Sequence, residues 1–167
     1  MTLMDRFSSD DWSRVLEAPM LAGFAITAAD PGGLISAVQE SAAIAGSLRL
    51  AAKDGGEGSL AHAVAEAYTT SEGRSAATDG LKSLVKGKRP AEASDAAVSR
   101  LGEIMALVER TVPEHAAGFR KFLIDTATKT AEASTEGGFL GFGGARISEA
   151  EHKTLDQLRS ALGVSVG

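Results

Sequence analysis

The fold class is decided by residues 90–113, which read PAEASDAAVSRLGEIMALVERTVP. Five large apolar side chains in this segment recur at spacings of three and four, so they share one face of a helix. They are Val98, Leu101, Met105, Val108 and Val112. A proline stands at each end of the segment, where it suits the first turn of a helix but not its interior. The segment therefore predicts one amphipathic helix, followed directly by another.

Capping residues and prolines divide the rest of the chain into further helices with short connections. Ser9, followed by two aspartates, is typical of a helix N-terminus. Pro19 is expected to end that helix and to begin a second one that runs to about Asp30, because proline fits a first turn and not an interior. Thr69 and Glu72 have the spacing of a capping box, which predicts that a later helix begins there.

The composition favours closely packed helices. Thirty residues are Ala, whereas aromatic residues make up only 5% of the chain. Alanine is the best helix former, and β-sandwiches are richer in aromatic and β-branched residues. We therefore expect an all-α fold, a bundle of about seven helices that forms a single helical domain over residues 1–167.

Charge, cysteine content and hydropathy exclude several classes of function. The net charge is −5, which argues against nucleic-acid binding because contacts to phosphates need a surplus of cations. Without Cys there are no disulfides, thiolate nucleophiles or cysteine zinc sites. The most apolar uncharged stretch, Ala18 to Ala29, is shorter than the about 20 residues that span a bilayer. The first residues lack the apolar run of a signal peptide, so we expect a cytoplasmic protein with no membrane span.

Histidines and carboxylates do not combine into a complete catalytic motif. Glu149 and His152 have the i, i+3 spacing found in carboxylate-bridged di-iron bundles, but His62 and His115 lack a Glu three residues earlier. His62 and Glu66 could share a helix face as a general base, yet no nucleophile is identifiable near them. The sequence therefore predicts a protein that is not an enzyme, with no catalytic residues and no cofactor.

The segment Gly137 to Gly144 contains five glycines and the most unusual local sequence in the chain. It is neither a P-loop nor a dinucleotide fingerprint, because no strand precedes it and no Lys-Ser or Lys-Thr follows. In one interpretation Phe139, Leu140 and Phe142 fill apolar gaps while the glycines form sharp turns. In the other, these residues and Arg146 form an exposed interaction surface.

Two segments share a pattern of small, acidic and Ile-Ser residues. Ala28-Ala29-Asp30-Pro31-Gly32-Gly33-Leu34-Ile35-Ser36 is followed by Glu40, and Gly143-Gly144-Ala145-Arg146-Ile147-Ser148-Glu149-Ala150-Glu151 leads into the last helix. Both resemble the recurring element of TerB-like domains, a helical family associated with tellurite resistance. That element is an apolar helix, Ala-Asp-Gly, a short turn, Ile-Ser, an acid and a following helix. The resemblance implies a duplicated bundle of two similar helical halves.

The same resemblance implies that acidic residues of the two turns bind a cation, as in some members of that family. Carried over to this sequence, the residues are Asp30 and Glu40 in the first segment and Glu149 and Glu151 in the second, with His152 beside them. The second segment departs from the family pattern, because Gly144 stands where the turn aspartate is expected.

Three functions stay open. The first is a non-enzymatic protein-interaction or stress-associated module, which binds another protein or a second copy of this chain. The second is a helical protein that binds a divalent cation through the five residues just named. The third is a bundle that binds an apolar ligand or lipid in an alanine-lined cavity between its central helices.

Overall fold

A computed structural model describes residues 1–29, 37–54, 56–136 and 147–164 of the chain. Within these ranges there are seven α-helices, one short 3-10 turn (Met4–Arg6) and no strand, so the predicted all-α bundle is confirmed. The helices are α1 (Ser9–Ala29), α2 (Ala37–Asp54), α3 (Leu60–Ala67), α4 (Ser71–Val85), α5 (Pro90–Thr111), α6 (Pro113–Glu136) and α7 (Glu149–Ala161).

Helix α1 is the centre of the bundle and contacts each of the other six helices. Its second half is apolar on every side, as the sequence predicts for a central helix, and Leu21, Ala22, Ala25 and Ile26 have no solvent exposure. The other helices cover it with mostly small and aliphatic side chains from one continuous core. No described helix is both long and apolar enough to cross a bilayer.

The predicted helix break at Pro19 is wrong, because α1 runs from Ser9 to Ala29 with Pro19 buried inside it. Proline lacks an N–H, and its ring disturbs the hydrogen bonds of the preceding turn. The Tyr68 hydroxyl donates a hydrogen bond of 2.6 Å to the carbonyl of Leu16, in the turn that precedes the proline. A side chain from another part of the chain thus supports α1 at the turn that the proline weakens.

Two predicted caps are displaced by one residue. Ser8 rather than Ser9 caps α1, because the Ser8 hydroxyl accepts the N–H of Asp11 at 3.1 Å. Thr70 rather than Thr69 caps α4, and its hydroxyl accepts the N–H of Gly73 at 3.1 Å. Either neighbour offers the same hydroxyl chemistry, so sequence alone does not choose between them.

The two helices that begin at prolines start where the sequence predicts them. Pro90 and Pro113 begin α5 and α6. Ser148 and Glu151 form a full capping box at the start of α7, with the Ser148 hydroxyl and the Glu151 carboxylate each accepting a backbone N–H. Gly163, just after α7, has a φ of 84°, a conformation that favours glycine.

Candidate functional site

The predicted interaction surface lies outside the described residues. Phe139, Leu140, Phe142 and Arg146 all belong to the part of the chain between α6 and α7 that the structure does not describe. Binding of a protein partner through these residues therefore stays a prediction.

The predicted metal ligands are only partly described. Asp30 lies outside the described residues, as does the side chain of Glu40. Glu149 and His152 are exposed on α7, whereas Glu151 is 1% exposed and its carboxylate serves the capping box. Among the described side chains, no three acidic or histidine groups cluster as a metal site would require. The convergence of the two turns on a cation stays a prediction.

A groove between α1, α2, α3 and α4 is the described site best suited to a small ligand. Its volume is about 410 Å³, within the range of about 300–1,000 Å³ typical of ligand sites. Most of its wall is apolar. The lining residues are Met20 from α1, Ile44, Ala45, Leu48 and Arg49 from α2, Ala65 from α3, Tyr68 and Thr69 from the connection, and Arg74 and Thr78 from α4.

The floor of the groove is formed by close packing of α2 on α1. Ile44 of α2 enters a notch at Gly23 of α1, where an added Cβ would come within 2.7 Å of the Ile44 Cδ1. That distance is shorter than real carbon contacts, so an alanine at this position would require the Ile44 side chain to shift. Ile44 is 7% exposed and its position fixes where α2 borders the groove.

Tyr68 forms one wall of the groove and links the groove to α1. Its hydroxyl is engaged in the hydrogen bond to Leu16 described above. Burial raises the pKa of Tyr68 far above its ordinary value of 10.0, and the negative charge of Glu17 raises it further, while the hydrogen bond from Met20 lowers it. At neutral pH the phenol is therefore a fixed, uncharged part of the wall.

Two arginines are the charged residues among those that line the groove. The Nη1 of Arg74 donates to the carbonyls of Tyr68 and Thr69, at 2.8 and 3.0 Å, and so closes the C-terminal end of α3. Arg49 is exposed, and it forms no ion pair with any side chain that the structure describes. One guanidinium is thus held by backbone contacts, and the other pairs with none of the described carboxylates.

A buried ion pair lies behind the groove on α1. Glu17 is 5% exposed, and its carboxylate accepts a hydrogen bond of 3.1 Å from the Nε of Arg100 on α5. Gly80 of α4 lies against the Glu17 side chain and leaves it the space it occupies. This pair connects three helices and is structural, since its charges face each other and not the groove.

Sequence reasoning missed Glu17, Tyr68 and the two groove arginines. One signal for Glu17 was present, because a glycine inside the helical segment around Gly80 indicates close approach of another group. No local signal indicates Arg49 or Tyr68, since their importance comes from residues distant in sequence.

Other depressions among the described residues are less suited to an apolar ligand. One of about 760 Å³ is lined, among the described residues, by α7 alone. A second groove of about 340 Å³ lies between α2, α3 and α6, with Lys121, Asp125 and Lys129 on its rim. Two of these rim residues already pair with each other, through the Lys121 ammonium and the Asp125 carboxylate.

Comparisons with known proteins found no match to this chain. A scan against protein-family models, a search of curated proteins and a search of solved structures each gave no match. The resemblance to TerB-like domains, with its two similar halves, accordingly stays a prediction.

Proposed function

We propose that this chain is a non-enzymatic helical binding domain. Its groove between α1, α2, α3 and α4 binds a small apolar ligand. The observation that carries the proposal is the groove itself, about 410 Å³ of largely apolar space walled by four helices. Of the three functions that the sequence leaves open, this is the one for which described residues form a site.

The expected affinity follows from the number of ligand atoms that the groove takes up. At about 30 Å³ per water molecule, a ligand that fills it displaces about 14 waters. Release of water from apolar walls is favourable, and small ligands gain about 0.5 kcal/mol per non-hydrogen atom, within the known limits. A ligand of about nine such atoms, the size of 1-octanol, then binds with about 4.5 kcal/mol, a Kd of about 0.5 mM.

The test is calorimetric titration of the full chain with 1-octanol, in wild type and two variants. Ala45→Phe places a ring in the groove and is expected to weaken binding at least about tenfold, because the added side chain takes the space of the ligand. Ala106→Phe makes the same change on an exposed face of α5 and should leave the affinity unchanged. Circular dichroism establishes that both variants are folded.

Two outcomes would contradict the proposal. Absence of saturable binding by the wild type at millimolar octanol would show that the groove is not a ligand site. Equal affinities of wild type and Ala45→Phe would show that octanol binds elsewhere.

A further inference from the structure

The charges around the groove differ from those of the whole chain. The chain carries 22 acidic and 17 basic residues, yet the charged residues that line the groove are Arg49 and Arg74, with no acidic residue among the lining residues described. An anion is therefore attracted to this groove even though the chain as a whole repels it.

The two arginines differ in what they can offer a ligand. Arg74 uses its Nη1 on two carbonyls, which holds its guanidinium beside the connection between α3 and α4. Arg49 stands on α2 at the opposite wall, is exposed, and pairs with no described carboxylate. A guanidinium carries five N–H donors in one plane. Two of them can bind the two oxygens of a carboxylate at the same time.

The apolar part of the groove determines which chemical group the anionic end of the ligand is attached to. Met20, Ile44, Leu48 and Ala65 present only hydrocarbon and a thioether, so they favour an aliphatic chain and disfavour a second charge. A ligand with one charged end and one apolar end satisfies both parts of the site. Inorganic phosphate or a dicarboxylate would leave the apolar wall unfilled or bury a charge against it.

We propose that the natural ligand class is an aliphatic monocarboxylate whose chain lies in the groove and whose carboxylate binds Arg49. This inference rests on the proposed function, since it names the ligand of the same groove. A carboxylate paired with an exposed arginine gains at most about 1 kcal/mol, so the preference over a neutral ligand of equal length is about twofold to fivefold.

The experiment compares octanoate with 1-octanol by calorimetry at neutral pH, in the wild type and in Arg49→Met. Wild type is expected to bind octanoate about twofold to fivefold more tightly than octanol. Added salt should reduce that preference because it screens the ion pair. Arg49→Met keeps an unbranched apolar stem, so it should bind octanol as the wild type does while losing the preference for octanoate. Arg110→Met, an exposed arginine remote from the groove on α5, is the matched control and should keep the preference.

The outcomes distinguish failure of this inference from failure of the proposed function. If wild type binds octanol and octanoate equally, or if Arg49→Met keeps the preference, the carboxylate assignment is overturned and the apolar site stands. If neither ligand binds the wild type, both proposals are overturned.

Discussion

Replacement of Gly80 by Ala tests the packing around the buried pair of Glu17 and Arg100. In an exposed helix this change stabilises by about 1 kcal/mol, because Ala is a better helix former than Gly. Here the added methyl would lie 2.5 Å from the Cγ of Glu17 and closer still to its carboxyl group. Glu17 must therefore move away from Arg100, whose Nε is 3.1 Å from its carboxylate.

The expected magnitude follows from the burial of both partners. Breaking a fully buried pair costs about 3–5 kcal/mol. The Arg100 side chain is 26% exposed and also lies 3.6 Å from Glu103, so we reduce the cost to about 2–3 kcal/mol. After the gain in helix propensity, the net loss is about 1–2 kcal/mol, and the midpoint of thermal unfolding should fall by about 3–6 °C.

The assay is thermal and urea unfolding followed by circular dichroism, with two controls. Gly118→Ala adds a methyl on α6 with no described atom within 4 Å, so it should stabilise by about 1 kcal/mol. Gly80→Ala combined with Glu17→Ala should stabilise relative to Glu17→Ala alone, because the methyl then has room. If Gly80→Ala by itself raises stability as Gly118→Ala does, Glu17 does not occupy the space assigned to it, and the packing argument is wrong.

Two further substitutions test the contacts that shape the groove. Gly23→Ala should lower the free energy of unfolding in urea by about 1–2 kcal/mol, because overpacking against Ile44 outweighs the gain in helix propensity. A stabilised variant would contradict the close approach of α1 and α2. Tyr68→Phe removes the hydroxyl that donates to the Leu16 carbonyl and should cost about 0.5–1.5 kcal/mol at pH 7. Burial raises the pKa of Tyr68, so the unfolded chain ionises near pH 10.0 while the folded chain stays protonated. Above that pH the free energy of unfolding of the wild type should fall with pH. The fall should be steeper than that of Tyr68→Phe by up to about 1.4 kcal/mol per pH unit. Parallel pH profiles of the two proteins would contradict the assigned burial of the phenol.

Helix boundaries are largely predictable from this sequence because the groups that set them are local. A serine and a glutamate three residues apart at the start of α7 satisfy each other's backbone groups, and this is visible in the sequence. Pro19 shows where local reasoning ends. The helix continues through it, and Tyr68, which lies 52 residues beyond Leu16, supports the preceding turn through its bond to the Leu16 carbonyl. A contact at that separation is not visible in the local sequence.

The groove could not be predicted residue by residue for a related reason. Alanine-rich helices indicate close packing, and the sequence accordingly predicts an alanine-lined cavity between central helices as one option. Which helices border that cavity depends on contacts between residues distant in sequence, such as that of Ile44 with Gly23. Arg49 looks like any exposed cation on a helix until the apolar walls beside it are known.

The same few turns of α1 support both the stability of the bundle and the shape of the proposed site. Glu17 anchors α5 through Arg100, the turn before Pro19 receives Tyr68, and Met20 then borders the groove. Tyr68 is therefore both a wall of the groove and a structural part of α1. A ligand that binds only this folded arrangement adds RT ln(1 + [L]/Kd) to its stability, about 2.7 kcal/mol at a hundredfold excess over Kd. Because Tyr68 lines the groove and also bonds to α1, we expect a bound ligand and the structure of α1 to stabilise each other.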